Sequence, residues 1–129
     1  MLNPRITPCL LIRNKGLVKT FKFKPFKYLG DPINAVKIFN EKEADELIVL
    51  DIDATSNNLE PDLSIIKKLA AECRMPLCYG GGVKTLAHAI AITKLGVEKI
   101  AISSAFISNS NIVSEISTVI GSQSVVVIL

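Results

Sequence analysis

The chain has 129 residues, of which 49% are apolar and 21% are charged, so it is long enough to bury the core of one domain. These values exclude an intrinsically disordered protein and favour an α/β fold whose buried strands are continuous aliphatic runs. The apolar runs are too short to cross a bilayer and no export signal opens the sequence. We therefore expect a cytoplasmic protein without a membrane partner.

The net charge of +3 is placed unevenly, because five lysines alternate with aromatic residues between positions 15 and 28. Such a segment can bind single-stranded nucleic acid, but no signature of a nucleic-acid-binding domain accompanies it. A hairpin with one apolar face and one lysine face explains the alternation equally well. We expect no nucleic-acid partner and interpret the segment as a lysine-bearing loop that faces an anionic small substrate.

The single histidine and the three cysteines do not form the ligand pattern of a metal site. Cys9, Cys73 and Cys78 are odd in number, and we interpret them as buried, reduced thiols. The sequence predicts no metal and no other cofactor.

Strands and helices are predicted to alternate along the whole chain. The predicted strands cover residues 6–12, 47–52, 77–79, 99–103 and 125–129, with a hairpin-like insert at 16–23. The predicted helices cover about 31–42, 61–74, 85–96 and 111–120. This alternation is typical of parallel βαβ units.

Parallel units of this kind build either a doubly wound open sheet or a barrel. The dinucleotide-binding glycine fingerprint is missing, and the sequence around Lys84 does not have P-loop spacing. Polar residues instead follow several strands, which is typical of a (β/α) barrel, and a complete barrel needs roughly 250 residues. We predict one domain over residues 1–129: the N-terminal half of a (β/α)8 TIM-type barrel, with four βα units and the start of a fifth strand.

Three charged residues, Arg5, Glu46 and Lys99, are predicted at the N-terminal ends of strands one, two and four. Charges inside a narrow apolar barrel must be paired. The spacing by itself favours an ion-pair plug that completes the core. The functional alternative is a gate over a passage along the barrel axis.

Glycines and hydroxyls are predicted to meet at the opposite end of the sheet. Gly80-Gly81-Gly82 follows the third strand, and Ser103-Ser104 ends the fourth. Glycine lets a ligand approach the backbone, whose N–H groups bind anions. A tight strand-to-helix turn is the structural alternative, but three glycines exceed its needs, so we predict a phosphate site.

Asp51 and Asp53 lie at the end of the second strand. One aspartate there commonly caps the following loop, whereas two favour a catalytic or hydroxyl-binding carboxylate. Strict alternation places Asp51 opposite to Glu46, so Asp51 reaches the site only where the pleat relaxes.

Several motifs, in order and at matching separations, carry a resemblance to a known family. They are Pro8-Cys9-Leu10, Gly16-Leu17-Val18-Lys19, Gly30-Asp31-Pro32, Ala44-Asp45-Glu46-Leu47, Leu50-Asp51-Ile52, Gly80-Gly81-Gly82 and Gly121-Ser122-Gln123-Ser124. Over all 129 residues the chain resembles the cyclase subunit of imidazole glycerol phosphate synthase. The resemblance implies a barrel that receives ammonia from a glutaminase partner at its bottom and joins it to a bis-phosphorylated substrate at its top.

The resemblance also implies roles for individual residues. Arg5, Glu46 and Lys99 match the family's ring of charges at the ammonia entrance, which favours the gate over the plug. Lys19 matches a lysine of the active-site loop and Asp51 matches an active-site acid, so both are expected to be catalytic.

The phosphate-binding positions implied by the resemblance are Gly81, Gly82, Ser103 and Ser104. The catalytic pair departs from the family, because its first aspartate corresponds to Leu11 and its second would follow the last residue of this sequence.

Leu11 and the segment Arg13-Asn14-Lys15 are closer to a divergent branch of the family. That branch is associated with amidino-sugar formation on bacterial surface polysaccharides and also uses a glutaminase. Such a synthase subunit is the leading interpretation. A histidine-biosynthesis cyclase proper and a truncated, non-catalytic, phosphate-binding half-barrel are the alternatives.

An open half-barrel exposes strand edges and the inner face of its sheet. We expect that face to be open to water along Thr7, Cys9, Ile48, Leu50 and Ala101. Pairing with a second copy buries both, so we predict a homo-oligomer with residues 125–129 near the contact.

Overall fold

The computed structural model describes residues 5–19, 27–57, 59–103 and 111–128, without the side chains of 19, 27–29, 55 and 56. The strands in these ranges are β1 Cys9–Arg13, β2 Gly16–Lys19, β3 Lys27–Gly30, β4 Leu47–Asp51, β5 Leu77–Gly80, β6 Lys99–Ser103 and β7 Val125–Ile128. The helices are α1 Pro32–Glu41, α2 Ile52–Ser56, α3 Leu63–Glu72, α4 Leu86–Lys94 and α5 Asn111–Ile120. None of these helices is long and apolar enough to span a membrane.

Side-chain caps mark the starts of α1 to α4. Asp31 accepts a hydrogen bond from the Ile33 amide at 3.0 Å at the start of α1, and Thr85 accepts one from the His88 amide at 3.1 Å at the start of α4. Both predicted starts are confirmed. The start of α3 is shifted by two residues from the predicted Pro61, because Asp62 caps this helix.

The strands form one sheet in the order β3-β2-β1-β4-β5-β6-β7. The pairs β1–β4, β4–β5, β5–β6 and β6–β7 are parallel. The pairs β1–β2 and β2–β3 are antiparallel. Parallel strands joined by helices confirm the predicted α/β class and match a partial TIM barrel.

The predicted hairpin at 16–23 differs from the structure in its partner. β2 pairs with β1 through a two-residue turn at Asn14 and Lys15, whose φ angles are 52° and 63°. On its other side β2 pairs with β3, which begins at Lys27, and residues 20–26 lie outside the described part of the chain.

The two faces of the sheet are buried to different extents. The outer face packs on the helices, and its core residues are at most 8% exposed: Leu10, Ile12, Leu47, Val49, Leu77, Tyr79, Ile100 and Ile102. Strand register places two rows on the inner face, Cys9–Ile48–Cys78–Lys99 and Leu11–Leu50–Gly80–Ala101–Val126.

The inner rows are only partly covered in the described structure. Cys9 is exposed and Leu11 and Leu50 are half-buried, whereas Ala101 is only 2% exposed. The expectation that Ala101 is open to water is therefore wrong, because Ala101 lies between its paired neighbours Gly80 on β5 and Val126 on β7. On β7 itself, Val126 and Val127 are 37% and 43% exposed.

Two adjacent residues of β1 test this difference between the faces. We expect Ile12→Ala to lower the free energy of unfolding by about 2–5 kcal/mol, because Ile12 is 1% exposed in the outer core. Leu11→Ala should cost less than about half of that, because Leu11 is already half-buried on the inner face. Urea unfolding of both variants measures the costs, and equal losses would show that the inner face is covered in solution.

Candidate functional site

A cavity of about 190 Å³ lies at the C-terminal ends of the parallel strands, on the inner face. Its lining residues are Leu50, Ile52, Gly80, Gly81, Ala101, Ser103 and Ile128. They lie on β4 to β7 or directly after these strands, because parallel strands bring their carboxyl ends to one edge of the sheet. The lining is mostly aliphatic, and Ser103 adds a hydroxyl at one side.

Asp51 ends β4 and also caps α2. Its carboxylate accepts hydrogen bonds from the amides of Asp53 at 3.1 Å and Ala54 at 3.0 Å. Burial raises the pKa of Asp51, these two hydrogen bonds partly offset the increase, and the nearby charges of Asp53 and Asp62 add to it. Asp51 is therefore a carboxyl group with increased proton affinity, but it does not line the cavity described above.

Tyr79 lies on the outer face of β5 and is 0% exposed. Its hydroxyl has no hydrogen-bond partner within the described structure. Burial raises the pKa of Tyr79, and the negative charges of Asp51 and Asp62 raise it further. The Tyr79 phenol therefore stays protonated in the outer core.

The glycines at the end of β5 are all buried and closely packed. A Cβ on Gly80 would lie 2.8 Å from the Ala101 Cβ, and one on Gly81 would lie 2.7 Å from the Asp51 Cβ. Gly82 has a φ of 74°, and a Cβ there would overlap the Leu59 carbonyl oxygen. Packing thus accounts for each glycine, so three glycines do not exceed the needs of this turn.

The structure places three of the four predicted phosphate-binding residues. Gly81 and Ser103 both line the cavity, and Gly82 continues the same turn. Ser104 lies outside the described residues. Phosphate binding at these positions stays a prediction.

At the opposite end of the sheet, Lys99 Nζ lies 3.0 Å from Glu46 Oε1. Arg5 is exposed and makes no ion pair within the described ranges, so the structure brings together two of the three predicted charges. Burial and the Glu46 charge raise the pKa of the adjacent Cys78 thiol to about 11, although Lys99 lowers it.

All three cysteines are free, as predicted, but they are not all buried. Cys78 is buried and Cys73 is intermediate, whereas Cys9 is exposed on the open inner face. Lys19 is the last residue of β2, and its side chain lies outside what the structure describes.

One group of contacts near the site was not predicted from the sequence. Asp53 Oδ1 lies 3.0 Å from Arg13 Nε, and Asp53 Oδ2 accepts a 2.7 Å hydrogen bond from the Asn14 amide. The contact spans about 40 positions in sequence, and the only available signal was the second aspartate after β4.

The sequence profile of a family described as "Histidine biosynthesis protein" matches residues 5–129. The chain belongs to this histidine biosynthesis protein family. The predicted family is thereby confirmed, and similarity extends to individual members.

Relatives within the histidine biosynthesis protein family carry the name imidazole glycerol phosphate synthase subunit. A provisionally named one from Vibrio vulnificus is 59% identical over 100% of this chain and 50% of its own length. Another from Pseudomonas aeruginosa is 56% identical over 98% of this chain and 50% of its own length. The HisF subunit of Exiguobacterium sibiricum is 38% identical over 98% of this chain and 51% of its own length. The chain thus spans about half the length of the curated relatives it matches.

Asp51 can be tested separately as a cap and as an ionisable group. A raised pKa means that the folded state holds the proton more tightly, so its stabilising effect is present below the usual carboxyl pKa and is lost as pH rises through the raised pKa. Asp51→Asn should remove this pH-dependent loss, because the amide still caps α2 but does not ionise.

The matched variant Asp51→Ala should have a free energy of unfolding about 1 kcal/mol lower than that of Asp51→Asn at every pH, because neither side chain ionises and only the alanine loses the cap. Urea unfolding between acidic and neutral pH measures both effects. Parallel pH profiles for the wild-type chain and Asp51→Asn would contradict the assignment.

Proposed function

We propose that this chain forms part of a cyclase-type synthase that joins ammonia from a glutaminase partner to a phosphorylated small-molecule substrate. The observation that carries the proposal is the position of the Glu46–Lys99 ion pair. Lys99 lies two residues before Ala101 on the inner face of β6, which is roughly 7 Å along the strand. The ion pair therefore lies at one end of the inner face and the cavity at the other.

An ion pair at this position suits a gate for a small neutral molecule. Glu46 and Lys99 side chains are 15% and 37% exposed, so the pair is neither fully solvated nor sealed inside the core. Moving such a pair apart costs less than breaking a fully buried one. A static plug uses the same contact, and the two roles differ in whether altering the pair changes ammonia transfer.

The partner is proposed to be a glutaminase that docks at the N-terminal ends of the strands. Relatives named as imidazole glycerol phosphate synthase subunits support this assignment. We place the complex in the cytoplasm, where the free thiols of Cys9, Cys73 and Cys78 would stay reduced.

Binding to the glutaminase subunit of imidazole glycerol phosphate synthase tests the proposal. We expect the chain to form a complex with it in titration calorimetry and to change its rate of glutamine hydrolysis. Lys99→Met should leave the complex intact but change the hydrolysis rate, because it removes the charge partner of Glu46.

The control for this experiment is Lys94→Met, since Lys94 is an exposed lysine in the last turn of α4 and away from the inner face. Absence of any complex would contradict the glutaminase partnership. A complex in which Lys99→Met and Lys94→Met behave alike would favour the plug.

The substrate phosphate is proposed to bind at Gly81, Gly82 and Ser103, with Ser104 completing the group. The positive φ angles of Gly81 and Gly82, 141° and 74°, and the position of Ser103 in the cavity lining support this. Lys19 and Asp51 are proposed as the catalytic lysine and carboxyl group, the latter supported by its raised pKa.

Titration with inorganic phosphate, followed by amide chemical shifts, tests this site. We expect shifts at Gly81 and Gly82 and a several-fold weaker affinity in Ser103→Ala, because one hydroxyl donor is lost. Ser122→Ala is the matched control, since Ser122 is exposed in the turn before β7. Shifts confined to other regions, or equal affinities for the two variants, would contradict the assignment.

The finer proposal is that the substrate belongs to amidino-sugar formation on surface polysaccharides. Leu11 supports it, because it lies beside Leu50 in an aliphatic row and has no proton to transfer. General acid/base groups contribute about 10²–10⁴-fold, so efficient turnover of the histidine-pathway substrate with ammonium salt would favour the histidine cyclase instead. The chain is also more similar to the provisionally named relatives, at 56–59%, than to the Exiguobacterium subunit, at 38%.

We further propose that the partly exposed inner face associates with a second copy of the chain, with residues 125–128 at the contact. The exposed side chain of Val126 on this face supports this, as does Val127, which is exposed on the same edge strand. The non-catalytic half-barrel remains the alternative if phosphate binds and no glutaminase does.

A further inference from the structure

The turn between β1 and β2 contacts the carboxylate of Asp53, which belongs to another element. Asp53 Oδ2 accepts a 2.7 Å hydrogen bond from the Asn14 amide, and Asp53 Oδ1 lies 3.0 Å from Arg13 Nε. The Asp53 side chain is 18% exposed, against 43% for Arg13, so the acceptor lies on the buried side of the pair. A carboxylate that binds both an amide and a guanidinium makes two charge-assisted contacts.

Asp53 is itself fixed to the strand-end carboxylate. Its amide donates to Asp51 Oδ1 at 3.1 Å, within the first turn of α2. Asp53 therefore contacts Asp51 through its amide and the β1–β2 turn through its carboxylate. In this way the β1–β2 turn is connected to the edge of the sheet where the cavity lies.

The backbone conformation of the turn is one that an outside contact helps to hold. Asn14 and Lys15 have φ angles of 52° and 63°, in the left-handed region that residues other than glycine seldom adopt. Among the residues that the structure describes, three pairs join β1 to β2: Leu11↔Val18, Ile12↔Leu17 and Arg13↔Gly16. A ladder this short is sensitive to its turn, and a slip of one residue would reverse the faces of β2.

The other contact of the turn is weaker. Lys15 Nζ lies 3.9 Å from Asp62 Oδ2, and the Lys15 side chain is 77% exposed. An exposed pair at that separation contributes little. Asp53 is therefore the principal described anchor of the turn.

We propose that Asp53 is a positioning residue that fixes the β1–β2 turn and the register of β2, and thereby places Lys19 relative to the phosphate site. Lys19 follows Val18 at the end of β2, so a change in register would move its backbone to the next position along β1. The functional part of this inference rests on the proposed phosphate site and on Lys19 acting there.

Amide hydrogen exchange of the full chain tests the anchor without any ligand. We expect Asp53→Ala to speed exchange of the β2 amides at least about tenfold, while β4 to β6 exchange as in the wild-type chain. Asp53→Asn should have a smaller effect, because it retains an acceptor for the Asn14 amide and loses the charge that holds Arg13.

The matched control is Asp45→Ala. The Asp45 carboxylate also accepts a backbone hydrogen bond, from the Ile6 amide at 2.6 Å, but at the opposite end of the sheet. It should leave β2 exchange unchanged. Unchanged β2 exchange in Asp53→Ala would overturn the proposal, whatever the chain does with phosphate.

A second measurement separates positioning from simple stabilisation. If Asp53 acts through Lys19, Asp53→Ala should weaken inorganic phosphate binding in the wild-type background but not in a Lys19→Ala background. Equal losses in both backgrounds would overturn the positioning role. If the wild-type chain binds no phosphate, the proposed phosphate site fails, and hydrogen exchange alone then decides whether Asp53 anchors the turn.

Discussion

Each parallel strand of this sheet buries one face against helices and turns the other to the inner side. The register between β1, β4, β5 and β6 keeps the aliphatic residues of the outer face aligned, so that the core is continuous across four strands. A slip of one residue in any pair would exchange the two faces and expose that core. Because the register is fixed in this way, the inner residues also fall into rows, and the chemistry of the chain is distributed along those rows.

The two inner rows place a charged pair at one end of the strands and a mostly aliphatic cavity at the other. The lower row, nearer the N-terminal ends of the strands, contains Lys99, whose partner Glu46 lies nearby. The upper row, nearer the C-terminal ends, is mainly aliphatic, and its residues Leu50, Gly80 and Ala101 line the cavity. Leu11 lies in that upper row, where the family resemblance places a catalytic aspartate. The site of this chain is accordingly poor in acidic groups on its inner face, and its carboxylates, Asp51 and Asp53, belong instead to the start of α2.

Residues at the strand ends serve packing and the candidate site together. Gly81 allows β5 to approach Asp51, and Asp51 in turn caps the helix that carries Asp53. Burial raises the pKa of Asp51 while its hydrogen bonds to α2 lower it, so its proton affinity depends on the same contacts that hold the loop. Altering any one of these residues is expected to affect both the fold and the chemistry at this edge.

The sequence by itself determined the alternation of strands and helices, the helix starts at Asp31 and Thr85 and the positions of Glu46 and Lys99 at the starts of their strands. These features depend on local caps and on the two-residue period of a strand, which neighbouring residues specify. Only the tertiary structure decided that Ala101 pairs with β7, that β2 pairs with β1 and that Asp53 accepts a hydrogen bond from their turn. Those contacts join segments distant in sequence, and their geometry depends on how strands and loops pack together. No local pattern specifies such packing.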